Sequence, residues 1–303
     1  MAGHVFCSDV CRARGEPLAG TGGAPERVLM LAWPRGQWRV PRWESAGMGE
    51  ALREVLHEAV HSDIHVALVD KVESETGLPT LHALPENIHA DFADEAAIVA
   101  AIRAYIGGTV FAGTADPRIT ILCCTDSRRD ACCARHGFST YKALVAEADP
   151  ARFHVVQATH LGGCRFAASL VVMPQRQRYG RMSAVQAPAF LDALERGAIY
   201  LPAYKGRTDQ PEPLQVAEIA AMGWAQEHGL DTGAVVLDAA SLPQSASEGA
   251  SLTLGAAIGA TRLAIRLSAR RFLMQGNCSI VAKGGGVETL RWCLDAVQPE
   301  AAG

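Results

Sequence analysis

RITILCCTDSRRDACCARHGFSTYKALVAEADPARFHVVQATHLGGCRFAASLVVMP, residues 118–174, is the stretch whose reading decides the fold. RITILCCT (118–125) is a short apolar run of the length expected for a buried strand. A polar loop follows, and beyond a turn at Gly137 the segment TYKALVAEAD (140–149) reads as a helix. FHVVQATH (153–160) is a second strand, and SLVVMP (169–174) a third that ends at a proline. APAFLDALERG (187–197) closes the series as an amphipathic helix, with Phe190, Leu191 and Leu194 inward and a glycine stop. Successive strand residues point to opposite faces, so Cys123 and Cys124 cannot share one, and Cys123 reads as packed in the strand.

The order β-α-β, then β and a closing α, is the order of a thioredoxin-like unit, although many α/β folds share part of it. A similar alternation precedes it. ERVLMLAWP (26–34) and HVALV (65–69) read as strands, MGEALREVLHEAVH (48–61) and DEAAIVAAIRAYIGG (94–108) as helices. Residues 1–26, rich in Gly, Pro and small side chains, read as an irregular leader. After the central unit come a helix over 213–229, a strand over 261–269 and a final helix over 287–296. The expected organisation is therefore an N-terminal α/β domain with its leader (1–112), a second α/β domain (113–230) and a C-terminal strand/helix extension (231–303). The two α/β halves have the pattern of a diverged duplication, with no sequence identity visible between them.

Composition narrows the function. Hydrophobic residues at 49% and charged residues at 20% suit a globular chain with a real core. A net charge of −4, with no basic run, offers nothing to nucleic acid or an anionic membrane. The longest charge-free apolar segment, between Glu248 and Arg262, is far short of the ~20 residues of a membrane span and reads as core. The opening residues lack the apolar stretch of a signal peptide, so the expectation is a cytoplasmic protein with reduced thiols. Nine cysteines then ask for a metal or redox explanation.

Cys124 and Cys133 flank the loop TDSRRDAC directly after one strand, and His160 and Cys164 are separated by Leu-Gly-Gly directly after another. Two strand ends of one sheet can bring these four soft donors together. Thiolate sulfur and imidazole nitrogen are what iron–sulfur clusters and zinc accept. Gly162 and Gly163 would let the backbone turn tightly past such a group. Ordinary packing competes with this reading, since free cysteines are among the most buried residues. Zinc competes too, but its ligand pairs usually sit two to four residues apart, and the eight-residue gap counts against it.

CTDSRRDACCARHG (124–137) and THLGGCRFAASLVVMPQRQRYGRM (159–182) resemble the sucrase/ferredoxin-like family of thioredoxin-fold [2Fe–2S] proteins. FCSDVCRARGEPLAGTG (6–22) and AYKGRTDQPEPLQVAE (203–218) extend the resemblance over roughly residues 6–220. It implies a thioredoxin-like ferredoxin domain, preceded by a second α/β domain that reads as a degenerate thioredoxin-like unit. It implies one [2Fe–2S] cluster, ligated by two cysteines from the first loop and a His-xxx-His pair from the second. By position these are Cys124, Cys133, His160 and residue 164, which is Cys here in place of His. The expected set is thus Cys3His, with Cys132 the alternative to Cys133. The implied role is electron transfer with an unidentified redox partner protein, a reductase or an acceptor. A structural Cys3His zinc protein and a thiol oxidoreductase are the alternatives, the latter disfavoured by the lack of a C-x-x-C motif.

Other motifs carry less. His57-Glu58-Ala59-Val60-His61 is a literal HExxH on a helix, the pattern of zinc peptidases, but no downstream ligand stands out and a polar helix face explains it. Gly284–Gly286 reads as a flexible helix entry, and Cys7-xxx-Cys11 as unpaired thiols in a loose loop. Arg181, Lys205 and Arg207 could form a docking rim for a redox partner, with plain solvated surface the blander reading.

Overall fold

A computed structural model of the chain describes residues 4–70, 79–239, 241–243 and 245–300. In chain order the elements are α1 (Cys7–Ala13), β1 (Arg27–Ala32), α2 (Glu50–His61), β2 (Ile64–Asp70), β3 (Thr80–Leu84), β4 (Ile88–Asp91), α3 (Glu95–Ile106) and β5 (Thr114–Ala115). There follow β6 (Ile119–Cys124), α4 (Phe138–Glu147), β7 (Phe153–Ala158), β8 (Leu170–Met173), β9 (Gln177–Tyr179) and α5 (Ala187–Glu195). Last come α6 (Glu212–Glu227), β10 (Val235–Leu237), β11 (Ser251–Ile258), β12 (Thr261–Met274), α7 (Cys278–Ala282) and β13 (Val287–Pro299).

Nine strands form one mixed sheet in the order β5-β4-β3-β1-β2-β7-β6-β8-β9. Within it β6 and β7 are parallel with α4 between them, β8 runs antiparallel to β6, and β9 antiparallel to β8. That is the spatial order second-first-third-fourth of a thioredoxin-like unit. The N-terminal half repeats it: β1 and β2 are parallel around α2, β3 is antiparallel to β1, and β4 to β3. The two units are hydrogen-bonded to each other where β2 and β7 pair antiparallel, Val69 with Ala158 and Asp70 with Gln157.

Alternation along the strands assigns the faces. Leu29 and Leu31 of β1 point into a core with α2 and α3, while Val28 and Met30 point the other way. In β6, Ile121 and Cys123 pack with residues of α4 and α5, and Leu122 and Cys124 lie on the opposite face. That second face is covered by short pieces: α1, the loops after β6 and β7, and α7, which supply Cys7, Cys132, Cys133, Cys164 and Cys278. Asp94 accepts a hydrogen bond from the Ala97 amide at 2.8 Å and starts α3, where the sequence places a helix.

A separate antiparallel sheet, β10-β11-β12-β13, packs its inner residues, Leu254, Ala256, Ile258, Leu263 and Ile265 among them, against Val216, Ala217, Ala221 and Ala225 of α6. The apolar segment before Arg262 is core on one face only, burying Leu254, Ala256 and Ile258 while Ser251 and Thr253 are exposed, and α6 belongs with this sheet by its packing. No helix among the described residues is long and apolar enough to cross a membrane.

Three local readings are corrected. Residues 287–296 are strand, because β13 pairs with β12 from Val287 to Pro299, and that long-range ladder overrides a composition compatible with a helix. Gly284–Gly286 therefore lead into a strand. The leader is not wholly irregular: α1 puts Cys7, Ser8 and Cys11 on a buried side, and tertiary packing sustains a helix too short to form alone.

Candidate metal centre

Cys124 is the last residue of β6 and is 1% exposed. The chain then turns at Asp126, whose Oδ1 accepts the Arg128 and Arg129 amides, both at 3.2 Å. Oδ2 of the same carboxylate accepts the His160 amide at 3.2 Å, so Asp126 joins the loop after β6 to the loop after β7. Asp130, also buried, accepts the Cys132 amide at 2.8 Å. Cys132 and Cys133 then point apart: the Cys132 sulfur lies among Cys7, Ser8 and Cys278, whereas that of Cys133 groups with Cys164.

A single π-helical turn, Cys133–Gly137, leads from here into α4. It lies so close to the strand that a Cβ on Gly137 would stand 1.9 Å from the Cys124 carbonyl oxygen. After β7 the chain passes His160 and turns through Gly162 at φ 90° and Gly163 at φ 72°, left-handed values that favour glycine. Cys164 opens a short 3-10 turn, with its sulfur 3.4 Å from His160 Nδ1.

The four residues singled out by sequence thus come together. Cys133 lies near enough to Cys124 and Cys164, and His160 to the same two, for each to shift the titration of the others. Their titration is shared. Cys124 and Cys164 are held below the usual thiol range, first by hydrogen bonds from Cys133 and against the effect of burial, and Cys133 is pushed up correspondingly. Burial disfavours the His160 cation, but its bonds to Cys124 and Cys164 outweigh that and raise it to about 9. A metal entering here would displace the protons that Cys133 and His160 hold. The donor atoms of Cys133 and Cys164 lie within 4.8 Å of one another and of Asp130, a group of three that takes in neither Cys124 nor His160.

Arg178 backs the second loop. Its guanidinium donates to the Leu161 carbonyl and, at 2.6 Å, to the Gly23 carbonyl. Burial lowers it to about 10, with the Cys124 thiolate opposing the shift. Lys205 is 3% exposed, its Nζ 3.2 Å from where a Cβ on Gly163 would stand. Of the basic residues read as a rim, Lys205 is therefore buried, Arg181 half-buried and Arg207 exposed.

His160 alone of the four donors is partly exposed. It opens into a cavity of about 200 Å³ walled by Arg39–Trp43 of the N-terminal half and by Asp126 and Arg129. The sequence reading missed Asp126, Asp130 and Arg178. A Thr-Asp-Ser turn after a strand signals the first, and nothing local signals the other two. Cys123 packs on the helix side, its sulfur 3.4 Å from the Gly137 carbonyl. His57 and His61 lie exposed on α2, their rings 4.2 Å apart, outside every group of three convergent metal donors found among the described residues. Cys7 and Cys11 are buried on α1, contrary to the loose loop expected of them.

The donor set fits a metal or iron–sulfur group on chemical grounds: three thiols and an imidazole, with a buried cation to offset anionic charge. No curated protein matches the chain in sequence. Among solved structures it is similar to a thioredoxin-like [2Fe–2S] ferredoxin from Aquifex aeolicus, with 15% identity over 32% of this chain and 97% of that one, at a TM-score of 0.29. The wild-type form of that ferredoxin at 1.5 Å resolution gives 14% identity over 30% and 100%, at a TM-score of 0.28. These likenesses cover a third of the chain or less, and the thioredoxin-like assignment rests on the strand order of each half. The sucrase/ferredoxin-like family model matches residues 18–206, a span that holds both halves and all four donors, and the chain belongs to that family.

Proposed function

We propose that the protein is a single-electron carrier with one [2Fe–2S] cluster held by Cys124, Cys133, His160 and Cys164. The observation that carries this reading is the convergence of three buried cysteines and one half-exposed histidine from two loops at one end of the sheet. A cluster bound there would take up and give back one electron at a time. The chain's own part is to hold the donors and to seal them from water. Asp126 fixes the spacing of the two loops through the His160 amide, and Arg178 fixes the second loop through Leu161. Arg178 also places positive charge beside a centre that becomes more negative on reduction.

His160 is the exit in this reading. Its edge reaches the cavity lined by Arg39, Arg42 and Arg129, and a cationic wall favours a redox partner with an acidic face. The reducing cytoplasm is the compartment in which these unpaired thiols would persist.

Visible absorption with iron and acid-labile sulfide analysis tests the proposal. A coloured protein with iron and sulfide in equal amounts is expected, and loss of both in Cys124→Ser and Cys133→Ser but not in Cys293→Ser. Colourless protein with zinc bound by the same four donors would replace this reading with a structural zinc site. Iron retained in Cys133→Ser and lost in Cys132→Ser would reassign the second ligand.

A further inference from the structure

Three cysteines that the proposed centre does not use meet in a second cluster. Cys7 comes from α1, Cys132 from the loop after β6, and Cys278 from the start of α7, which interrupts the β12–β13 hairpin. The sulfurs of Cys7 and Cys132 are 3.4 Å apart, and those of Cys132 and Cys278 3.3 Å. Asp130 Oδ1 lies 3.8 Å from the Cys7 sulfur and 3.3 Å from that of Cys278. All four side chains are buried, none more than 6% exposed, and their donor atoms fall within 4.8 Å of one another.

We infer that Cys7, Cys132, Cys278 and Asp130 form a second metal site, which binds one zinc ion. Three sulfurs and a carboxylate oxygen are a donor set that Zn²⁺ accepts with tetrahedral geometry, and four protein ligands leave no open position for substrate. Plain packing explains buried thiols but not a carboxylate set among them. Sulfurs contributed by positions as far apart as 7 and 278 also need a reason to meet. Amide donors already point at two of the sulfurs: the Cys7 amide at the Cys278 sulfur at 3.4 Å, and the Ser8 amide at the Cys132 sulfur at 3.4 Å. The Ser8 hydroxyl adds a third contact to Cys132 at 3.3 Å. Asp130 is held by the Cys132 and Cys278 amides, each at 2.8 Å, which orient its carboxylate without consuming all of its lone pairs.

The ion would tie the N-terminal helix and the C-terminal hairpin to the residue next to Cys133. Its structural effect is to clamp the two pieces that cover the cysteine face of the large sheet. No bond other than metal–ligand bonds forms, and the protons of the three thiols pass to solvent as the ion enters. The three sulfurs are distinct from Cys124, Cys133, His160 and Cys164, and Asp130, which also lies near Cys133 and Cys164, is not among those four, so the inference stands whether or not they hold a cluster.

The test is zinc, iron and acid-labile sulfide analysis of the full chain, expressed with iron and zinc supplied, for the native protein, Cys278→Ser and Cys164→Ser. The expected result is one zinc per chain in the native protein and in Cys164→Ser. Cys278→Ser should lose that zinc and keep its iron and sulfide at the native level. Zinc lost in Cys164→Ser and kept in Cys278→Ser would place the ion in the other centre and overturn the inference. So would loss of iron in place of zinc in Cys278→Ser, or native protein that neither contains zinc nor takes up added Zn²⁺. A disulfide from Cys132 to Cys7 or Cys278 in freshly isolated, alkylated protein would overturn it as well. Should Cys278→Ser prove insoluble, zinc-edge X-ray absorption of the native protein decides. A sulfur-dominated shell without imidazole scattering supports the site, and imidazole scattering assigns the zinc to His160 instead.

Discussion

The two halves of the large sheet share a backbone plan and differ in what fills the end of their first strand. Ala32 is the sixth residue of β1 and pairs with Val69 of β2, as Cys124 is the sixth of β6 and pairs with Ala158 of β7. Where β6 runs on into a loop of donors, β1 runs on into tryptophans. Trp33 donates to the Ala46 carbonyl at 2.9 Å, Trp38 donates to the Trp33 carbonyl at 2.9 Å, and Trp38 is 2% exposed within the α2–α3 core. One half stabilises its strand end by burying aromatic surface, and the other leaves soft donors there. The fold therefore does not dictate the chemistry, which lies in the residues placed on it. Yet the aromatic half is not idle, since its Arg39–Trp43 segment walls the cavity beside His160.

The largest expected effects come from exchanging these fillers. Cys124→Ala makes the second half resemble the first, and should abolish iron binding while the far-ultraviolet circular dichroism stays native. Trp38→Ala should do the reverse, lowering stability by about 3–5 kcal/mol in urea titrations while the folded fraction keeps its metal content. Iron retained in Cys124→Ala would break the assignment of function to this strand end.

A smaller contrast lies one step later, at the glycine before each connecting helix. A Cβ on Gly137 meets the Cys124 carbonyl at 1.9 Å, a backbone atom that can yield only if the strand moves. A Cβ on Gly49 meets Glu95 Oε1 at 2.2 Å, the end of a side chain that can turn away. Gly137→Ala should then cost about 1–3 kcal/mol and lower iron occupancy several-fold. Gly49→Ala should lose only the Glu95 contacts to the Gly49 amide, about 1 kcal/mol, with occupancy unchanged. Thermal unfolding with iron analysis of both variants checks the contrast, and equal occupancy in the two would show that Gly137 does not set the position of Cys124.

Residues 118–197 were the most legible part of the chain because their apolar periodicity switches cleanly between two and 3.6, and β6, α4, β7, β8 and α5 lie where that period puts them. The donors were legible as residue types at strand ends. What the sequence could not convey is pairing at long range. The β2–β7 join, the β12–β13 ladder and the meeting of Cys7 with Cys278 depend on partners far along the chain, with no local signature. The choice between Cys132 and Cys133 was of the same kind, since adjacent residues differ only in direction, and direction is set by the turn that Asp130 holds. Asp126 escaped notice for the opposite reason: an aspartate after a strand is so common a turn residue that its second bond, to His160, could not be foreseen.

A third contrast sits on the outer strands. In the register of the second half Val171 of β8 faces Arg178 of β9, and the matching pair in the first half is His82 of β3 with His89 of β4. Arg178 is the cation beside Cys124, and an added electron is stabilised by positive charge nearby. Arg178→Met should therefore lower the reduction potential of the proposed centre, whereas His89→Met should leave it unchanged. Voltammetry of the two variants separates them. A potential that stays put or rises in Arg178→Met would mean that the guanidinium serves the loop's shape and not its charge.

The smallest effect expected is on pH response, and the two halves should again part company. Burial lowers His82 to about 3, helped by the neighbouring His154 and His89, and neither ring nitrogen has a hydrogen-bond partner among the described residues. A histidine whose folded pKa is depressed is protonated more easily in the unfolded chain. Its effect on stability is absent above the unfolded value near 6.5, and the fold loses stability as pH falls from there towards 3. His82→Leu should flatten that acid limb in urea titrations between pH 6.5 and 4 and leave the potential alone. His160 should act on the potential instead. Reduction adds negative charge next to its ring, which favours the protonated imidazole and raises its pKa in the reduced state. Between the oxidised and reduced values the potential then falls as pH rises, because reduction takes up a proton. His160→Cys should lower the potential, since a thiolate is more negative than an imidazole, and should remove the slope. A native potential that is flat across pH with the cluster intact would show that His160 is not a ligand, and the contrast between the halves would then rest on the cysteines alone.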